Sequence, residues 1–332
     1  MLITVIGGGS WGSALARILG DNSNDVIIFD NDTELVNEIN NFHTNKKKLP
    51  VGELPLSVTA TSNLKDAIKD SEVIVLAVPT KVTRVVLKKI NEVLDHKVYF
   101  VNASKGLEPD TFYRISEIVQ QEINNDYISA FVALTGPSHA EEVIQQMLTT
   151  ICSVSEDHKA AKLIQQLFNN RSYFRVYTNY DLVGAEICGA LKNVYAIASG
   201  ILYGLNLGDN ARAGLITRAL VEMKRILVAY GGNPDTLFGL TGVGDLVVTC
   251  TSKHSRNFQA GIKLATGSDL EETINSMSMV VEGARTTISA YQFARKHNIE
   301  TPILDAVYNV IYNKKEVNTV IDGLMSRTLK HE

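Results

Sequence analysis

Leu2-Ile3-Thr4-Val5-Ile6-Gly7-Gly8-Gly9-Ser10-Trp11-Gly12-Ser13-Ala14-Leu15-Ala16 decides the fold of this chain. An aliphatic run reads as a strand, a glycine-rich turn follows, and a helical pattern begins at once. Gly7, Gly9 and Gly12 form G-x-G-x-x-G. In such a turn the first glycine permits the tight bend, the second lets the backbone approach a pyrophosphate, and the third allows close helix–strand packing. The helix start offers unpaired N–H donors and the positive end of its dipole. The motif alone is weak, but here the strand, the helix and an acid, Asp30, at the end of a second strand agree. A dinucleotide is the expected ligand, with Asp30 placed to accept hydrogen bonds from its ribose hydroxyls. Trp11 is the sole tryptophan, and it either covers that ligand or packs against the core.

Outward from this unit, apolar runs and amphipathic stretches alternate. Leu2–Ile6, Asp25–Phe29, Glu72–Val78, Lys97–Asn102 and Ala130–Leu134 read as strands, with Thr149–Ser155 and Tyr173–Tyr177 as further candidates. Helical patterns lie near 11–20, 32–41, 80–93, 112–123 and 138–146. This alternation predicts an α/β, Rossmann-like, doubly wound parallel sheet. After about residue 180 the period changes. Val183, Ile187, Leu191, Val194, Ala198, Ile201 and Leu205 recur at spacings of three and four, the face of one long helix. Further helices are expected near 211–230, 257–266, 269–275, 282–297 and 303–313, with a stop at Gly231-Gly232-Asn233-Pro234 and a capping box at Ser268 and Glu271. The expected organisation is a dinucleotide-binding domain over 1–181 and an all-α C-terminal substrate-binding and catalytic domain over 182–332.

Composition narrows the function. The net charge of −4 provides no bulk positive field for nucleic acid or acidic lipid, and Lys46-Lys47-Lys48 is a short cluster that reads either as a solvated loop or as a local binding patch. Three scattered cysteines without a Cys-x-x-Cys pair argue against a disulfide framework or zinc site and suit a reducing, cytoplasmic setting. No metal is expected. The N-terminus reads as a first strand and not as a signal peptide. The stretch from Ile187 to Gly208 holds one charge, Lys192, but its asparagines and four glycines mark a buried core helix and not a membrane span.

That lone charge is the most informative residue. A lysine inside a buried helix is rarely without a partner or a task, and burial favours the neutral amine that proton transfer needs. Asn193 beside it adds a hydrogen-bonding group. Lys105, in Asn102-Ala103-Ser104-Lys105-Gly106, follows a strand, as does Thr135-Gly136-Pro137-Ser138. Gly242-Val243-Gly244-Asp245-Leu246 and Ser255-Arg256-Asn257 lie in the helical half. Arg256 between a hydroxyl and an amide suits a phosphate, because guanidinium offers a planar fork of donors.

Taken together and in order, Gly7 to Ala16, Ser104-Lys105-Gly106, Gly136 to Glu142, Gly189 to Asn193, Gly242 to Leu246, Ser255 to Asn257 and Val281-Glu282-Gly283 resemble one family over nearly the full length. It is the soluble bacterial NAD(P)-dependent glycerol-3-phosphate dehydrogenases. The resemblance implies interconversion of dihydroxyacetone phosphate and sn-glycerol 3-phosphate with NAD(H) or NADP(H), feeding glycerophospholipid synthesis. It implies that Ser10, Trp11 and the loop backbone hold the pyrophosphate, that Lys192 moves the proton, and that Lys105 sits by the substrate oxygens and the cofactor. Gly136, Ser138, Asp245, Ser255, Arg256 and Asn257 would line the substrate site. Arg256, Ala140, Val280 and Glu282 would approach the cofactor, and Thr249 is a further candidate ligand. A homodimer is the base-rate expectation.

The chain departs from the family where Asp30-Asn31-Asp32 replaces an Arg or His common in relatives, and where Lys48 replaces an aromatic before Leu49-Pro50. Both changes touch the adenosine end of the cofactor and leave NAD against NADP open. Two other readings stand beside this one. They are a related two-domain hydroxy-acid dehydrogenase and a non-catalytic dinucleotide sensor.

Overall fold

The structure is a computed structural model that describes residues 1–108, 111–268, 271–273, 281–329 and 331. It divides into two compact units, Met1–Lys105 with Tyr113–Glu186, and Gly106–Phe112 with Ile187–Glu332.

The first unit is built on β1 (Leu2–Ile6), β2 (Asp25–Phe29), β3 (Val58–Thr61), β4 (Val73–Leu76), β5 (Val98–Asn102), β6 (Ile128–Thr135), β7 (Thr149–Val154) and β8 (Phe174–Asn179). They form one sheet in the order β3-β2-β1-β4-β5-β6-β7-β8. The strand order reverses between β1 and β4, and β1 to β6 are mutually parallel. Their carboxyl ends therefore share one edge, where open α/β sheets collect ligands.

The strands are apolar on both faces because helices cover both. Val73 and Val75 of β4 belong to a core with Ala14, Leu15, Ile18 and Leu19 of α1 (Ser10–Asp21) and Leu35 and Ile39 of α2 (Thr33–Phe42). Ile164 and Phe168 of α7 (His158–Phe168) lie in the same core. Ile74 and Leu76 point the other way. They join Ala67 and Ile68 of α3 (Leu64–Ile68), Leu87 and Ile90 of α4 (Thr80–Val93), and Ile118 and Val119 of α5 (Ile115–Glu122).

The doubly wound reading holds, with corrections. The pair β6–β7 is antiparallel. Its connection carries only the one-turn helix α6 (Ala140–Val143), too short for the crossover that a parallel return requires. The helix expected over 138–146 ends there, and Gln146 already has φ 59°. The strand β3 and helices α3 and α7 were not anticipated. β3 has four residues with two buried, too few to show a period. α7 did carry a signal, since Asp157 caps it by accepting from Lys159 and Ala160 N–H, and Ala160, Ala161, Ile164 and Phe168 repeat on one face.

The second unit is helical, and no strand occurs in its described residues. Its elements are most of α8 (Leu182–Gly204), then α9 (Gly208–Ala229), α10 (Asp245–Thr251), α11 (Arg256–Ala265), α12 (Glu282–Lys296), α13 (Pro302–Ile311) and α14 (Val317–Met325). The helices α10 and α14 are additions to the expected set. α8 is buried nearly all round, which explains why it is apolar on every side, and no described helix is long and apolar enough to cross a membrane. The helix expected over 269–275, with its capping box, falls largely outside the described residues.

Two buried carboxylates cap helices from a distance. Glu186 accepts from Ser116 N at 2.9 Å and Arg114 Nη1 at 3.1 Å at the start of α5, and burial raises its pKa. Glu222 of α9 accepts from Ile303 N at 2.6 Å and Leu304 N at 3.1 Å at the start of α13, and from the Tyr195 hydroxyl at 3.3 Å. Burial pushes the Glu222 carboxyl up to about 7, against the pull of those backbone donors.

Candidate active site

The glycine-rich turn leaves β1 at Gly7, whose φ of 107° is open to glycine and poor for other residues. A Cβ on Gly12 would lie 2.0 Å from the Gly7 carbonyl oxygen, so α1 can start against the turn only with glycine there. Beside Gly9 there is open space, with nothing within 4 Å of a built Cβ. The first turn of α1 has no side-chain cap and no acid. Among the described residues, N–H groups at the helix start without a capping side chain, a first turn without an acid and room at Gly9 fit an incoming pyrophosphate.

The neighbours of the turn hold it in shape. Both carboxylate oxygens of Asp30 accept backbone N–H groups, from Gly8 at 2.7 Å and Asp32 at 3.0 Å. Asp30 thus ties the second strand to the turn, a duty the sequence reading did not give it. The Ser10 hydroxyl donates to the Lys48 carbonyl at 2.9 Å. Asn45, absent from every motif, donates to the Gly8 carbonyl at 2.9 Å and to Ser13 Oγ at 2.8 Å. Trp11 packs half-buried against the sheet core, and its indole N–H finds no acceptor among the described residues.

Further along the same edge, Lys105 Nζ donates to the Gly136 carbonyl at 3.1 Å, and Ser138 Oγ donates to the same oxygen at 3.1 Å. The structure brings these three together after β5 and β6, and Ala140 opens α6 just beyond.

In the helical unit, Lys192 of α8 is 5% exposed and Asp245 of α10 is fully buried. Lys192 Nζ donates to Asp245 Oδ1 and, at 2.9 Å, to Thr249 Oγ1. A single turn of π-helix, Leu240–Gly244, leads into α10 and sets where Asp245 falls. The next residue on α8, Asn193, accepts from Asn257 Nδ2 at 2.9 Å, and Asn257 Oδ1 accepts from Gly283 N at 2.9 Å. A Cβ on Gly283 would come within 2.5 Å of the Asn193 carbonyl, so the Val281-Glu282-Gly283 motif ends in glycine because α12 starts against α8. Ser255 caps α11, accepting from Phe258 N at 3.3 Å, and Arg256 is the first residue of that helix. Glu282 opens α12. Val280 lies outside the described residues. Burial raises the Cys152 thiol to about 11 and Cys250 to about 12, which keeps both from acting as thiolates.

Two family models meet this chain. One, for the N-terminus of NAD-dependent glycerol-3-phosphate dehydrogenase, matches residues 2–161, and one for its C-terminus matches residues 181–322. The chain belongs to the NAD-dependent glycerol-3-phosphate dehydrogenase family. It is 51% identical over 330 residues to glycerol-3-phosphate dehydrogenase (NAD(P)+) of Bacillus cytotoxicus, covering 99% of this chain and 96% of that one. To the enzyme of the same description from Bacillus pumilus it is 50% identical, covering 99% and 95%. The crystal structure of glycerol-3-phosphate dehydrogenase from Coxiella burnetii superposes with a TM-score of 0.93 at 33% identity, over 98% of this chain and 99% of that one. The resemblance drawn from the motifs is borne out, and with it the Rossmann-like fold and NAD(P)-linked dehydrogenase activity. The hydroxy-acid dehydrogenase and sensor readings give way to it.

Proposed function

We propose that this glycerol-3-phosphate dehydrogenase reduces dihydroxyacetone phosphate to sn-glycerol 3-phosphate, and runs the reverse reaction, with Lys192 as the proton-transfer group. The observation that carries the assignment is the buried Lys192–Asp245–Thr249 cluster, an ammonium set among oxygen acceptors inside an apolar helix unit. When bound, the nicotinamide supplies the hydride in reduction and takes it in oxidation. The ketone carbon gains two electrons and one hydrogen, and its oxygen gains negative charge that Lys192 stabilises and protonates. Asp245 and Thr249 fix the direction of the Lys192 side chain. Lys105, held by Gly136, adds a second cation for the substrate oxygens.

Arg256, with Ser255 and Asn257 at the start of α11, supplies the donors a substrate phosphate requires, a guanidinium beside a helix N-terminus. Gly136, Ser138 and, beside Lys192, Asp245 complete the substrate site. Gly7, Gly9, Ser10, Trp11, Gly12 and Asp30 form the cofactor site, joined by Lys105, Ala140, Arg256, Val280 and Glu282. In this reading residues 1–181 bind the dinucleotide and residues 182–332 bind substrate and carry out proton transfer. The protein works in the cytoplasm as a homodimer, and its product feeds glycerophospholipid synthesis.

Loss of NADH absorbance with purified protein tests the assignment. Dihydroxyacetone phosphate should support turnover and pyruvate and hydroxypyruvate should not. Equal rates with all three would overturn it.

A further inference from the structure

We infer that Asn45 is the positioning residue of the cofactor loop, setting affinity for the dinucleotide and not the rate of hydride transfer. The inference rests on the glycine-rich turn being the pyrophosphate site. Asn45 lies in the segment between α2 and β3, 3% exposed, far in sequence from the turn it touches. Its Nδ2 donates to the Gly8 carbonyl at 2.9 Å and to Ser13 Oγ at 2.8 Å. A carbonyl oxygen accepts only, so the carboxamide must present its NH2 group to Gly8.

The Gly8 carbonyl and the Gly9 N–H belong to one peptide plane, and no peptide bond among the described residues is cis. In a trans peptide the two groups point in opposite directions. Holding the carbonyl toward Asn45 therefore turns the Gly9 N–H away from the 43–49 segment. On the other side of Gly8, its own N–H is held by Asp30 at 2.7 Å. Two consecutive peptides of a turn rich in glycine, which would otherwise rotate freely, are thus each held by a side chain from a different segment.

Asn45 is itself held. Its carbonyl accepts from Leu49 N at 2.7 Å and Lys48 N at 3.2 Å, closing a tight turn. Glu38 Oε1 accepts from the Thr44 hydroxyl and Lys46 N, each at 2.7 Å. The Asn45 carboxamide oxygen, by contrast, is buried and finds no partner among the described residues. A side chain present only to fill space would be better served by leucine, which has the same shape and no orphaned acceptor. The amide is kept for its donors.

Asn45→Leu keeps the volume and removes the donors, and Asn45→Ala removes both. Calorimetric titration of the purified full chain should show Kd for NADH about ten-fold higher in Asn45→Leu, the size expected for two hydrogen bonds. ADP-ribose, which has the pyrophosphate and lacks nicotinamide, should weaken by the same factor. At saturating NADH, kcat and the KM for dihydroxyacetone phosphate should stay within about two-fold of wild type, a split that general loosening of the fold would not produce. Ser13→Ala removes one of the two acceptors and should raise both Kd values about two- to three-fold. It decides the matter if the Asn45 variants do not fold. Unchanged Kd values in Asn45→Leu or Ser13→Ala, or equal losses in kcat and affinity, would overturn the inference. Failure of wild type to bind ADP-ribose would instead overturn the assignment of the loop.

Discussion

Replacing Lys192 tests the chemistry and the packing of the site at once, and the structure lets the two be separated. The side chains of Lys192 and Asp245 are 7% and 1% exposed, and the ammonium touches both Asp245 and Thr249. Lys192→Ala takes the cation away from a carboxylate that water cannot reach. Breaking such a buried pair from one side costs about 3–5 kcal/mol. At about 2–4 °C per kcal/mol for domains of this size, the melting temperature should fall by on the order of 10 °C. The proton-transfer role predicts, separately, a loss of kcat of about 10²-fold or more. The double variant Lys192→Met with Asp245→Leu removes both charges and fills the space. It should regain most of the lost stability, since replacing a buried pair by apolar side chains is often neutral or better. It should regain none of the rate. Calorimetric unfolding and steady-state kinetics on the three proteins, with NADH binding as a control for the intact first unit, provide the readings. A Lys192→Ala enzyme within a few-fold of wild-type kcat, or a double variant that recovers activity with stability, would refute the assignment.

Three other outcomes are expected. Arg256→Ala should raise KM for dihydroxyacetone phosphate strongly with some loss of kcat and, with NADH held saturating so that its contact with the cofactor does not limit the rate, should behave like wild type on the poor substrate dihydroxyacetone; equal impairment on both under that condition would remove the phosphate role. Glu222 has a folded-state pKa of about 7, above the ordinary 4.5 of the unfolded chain. The folded state keeps a proton the unfolded state has lost between those values, so stability should fall as pH rises from about 4.5 to 7 and then level, by on the order of 3 kcal/mol. Glu222→Gln should flatten that slope in melting curves across the window, and parallel profiles would show that Glu222 titrates as in water. For the cofactor, Asp30 follows the end of β2, and on the proposed assignment its carboxylate faces the ribose 2′-oxygen. A carboxylate about 4 Å from a 2′-phosphate costs about 1 kcal/mol per unit charge in water and about 4 at an effective dielectric of 20. NADH should therefore beat NADPH about five-fold or more in kcat/KM at low salt. A higher value with NADPH would shift the assignment to the lysines at 46–48, of which Lys47 already stands 3.8 Å from Asp32.

Local patterns in the sequence were sufficient for the doubly wound sheet, the helical second half and the family. Glycines at fixed spacing, strand and helix periods and a lone buried lysine each carry their meaning within a short window, because turn conformation, amphipathicity and desolvation act over a few residues. What they could not show is which distant residues meet. Nothing near Lys192 in the chain reveals that Asp245 and Thr249 will receive it, because that contact depends on a π-turn feeding α10 and on helix packing. The short edge strand β3 and the reversal at β7 depended on what the neighbouring strands and a one-turn helix left available. Asp30 looked like a ribose ligand, and the fold shows it as a tether for Gly8. Asn45 looked like loop and grips the carbonyl of the same glycine, across a gap in sequence that no spacing rule spans. The chemistry-bearing residue types were visible one at a time. Their hydrogen-bond partners came only from tertiary structure, since a buried polar group accepts whatever donor the fold delivers and leaves no periodic trace in the chain.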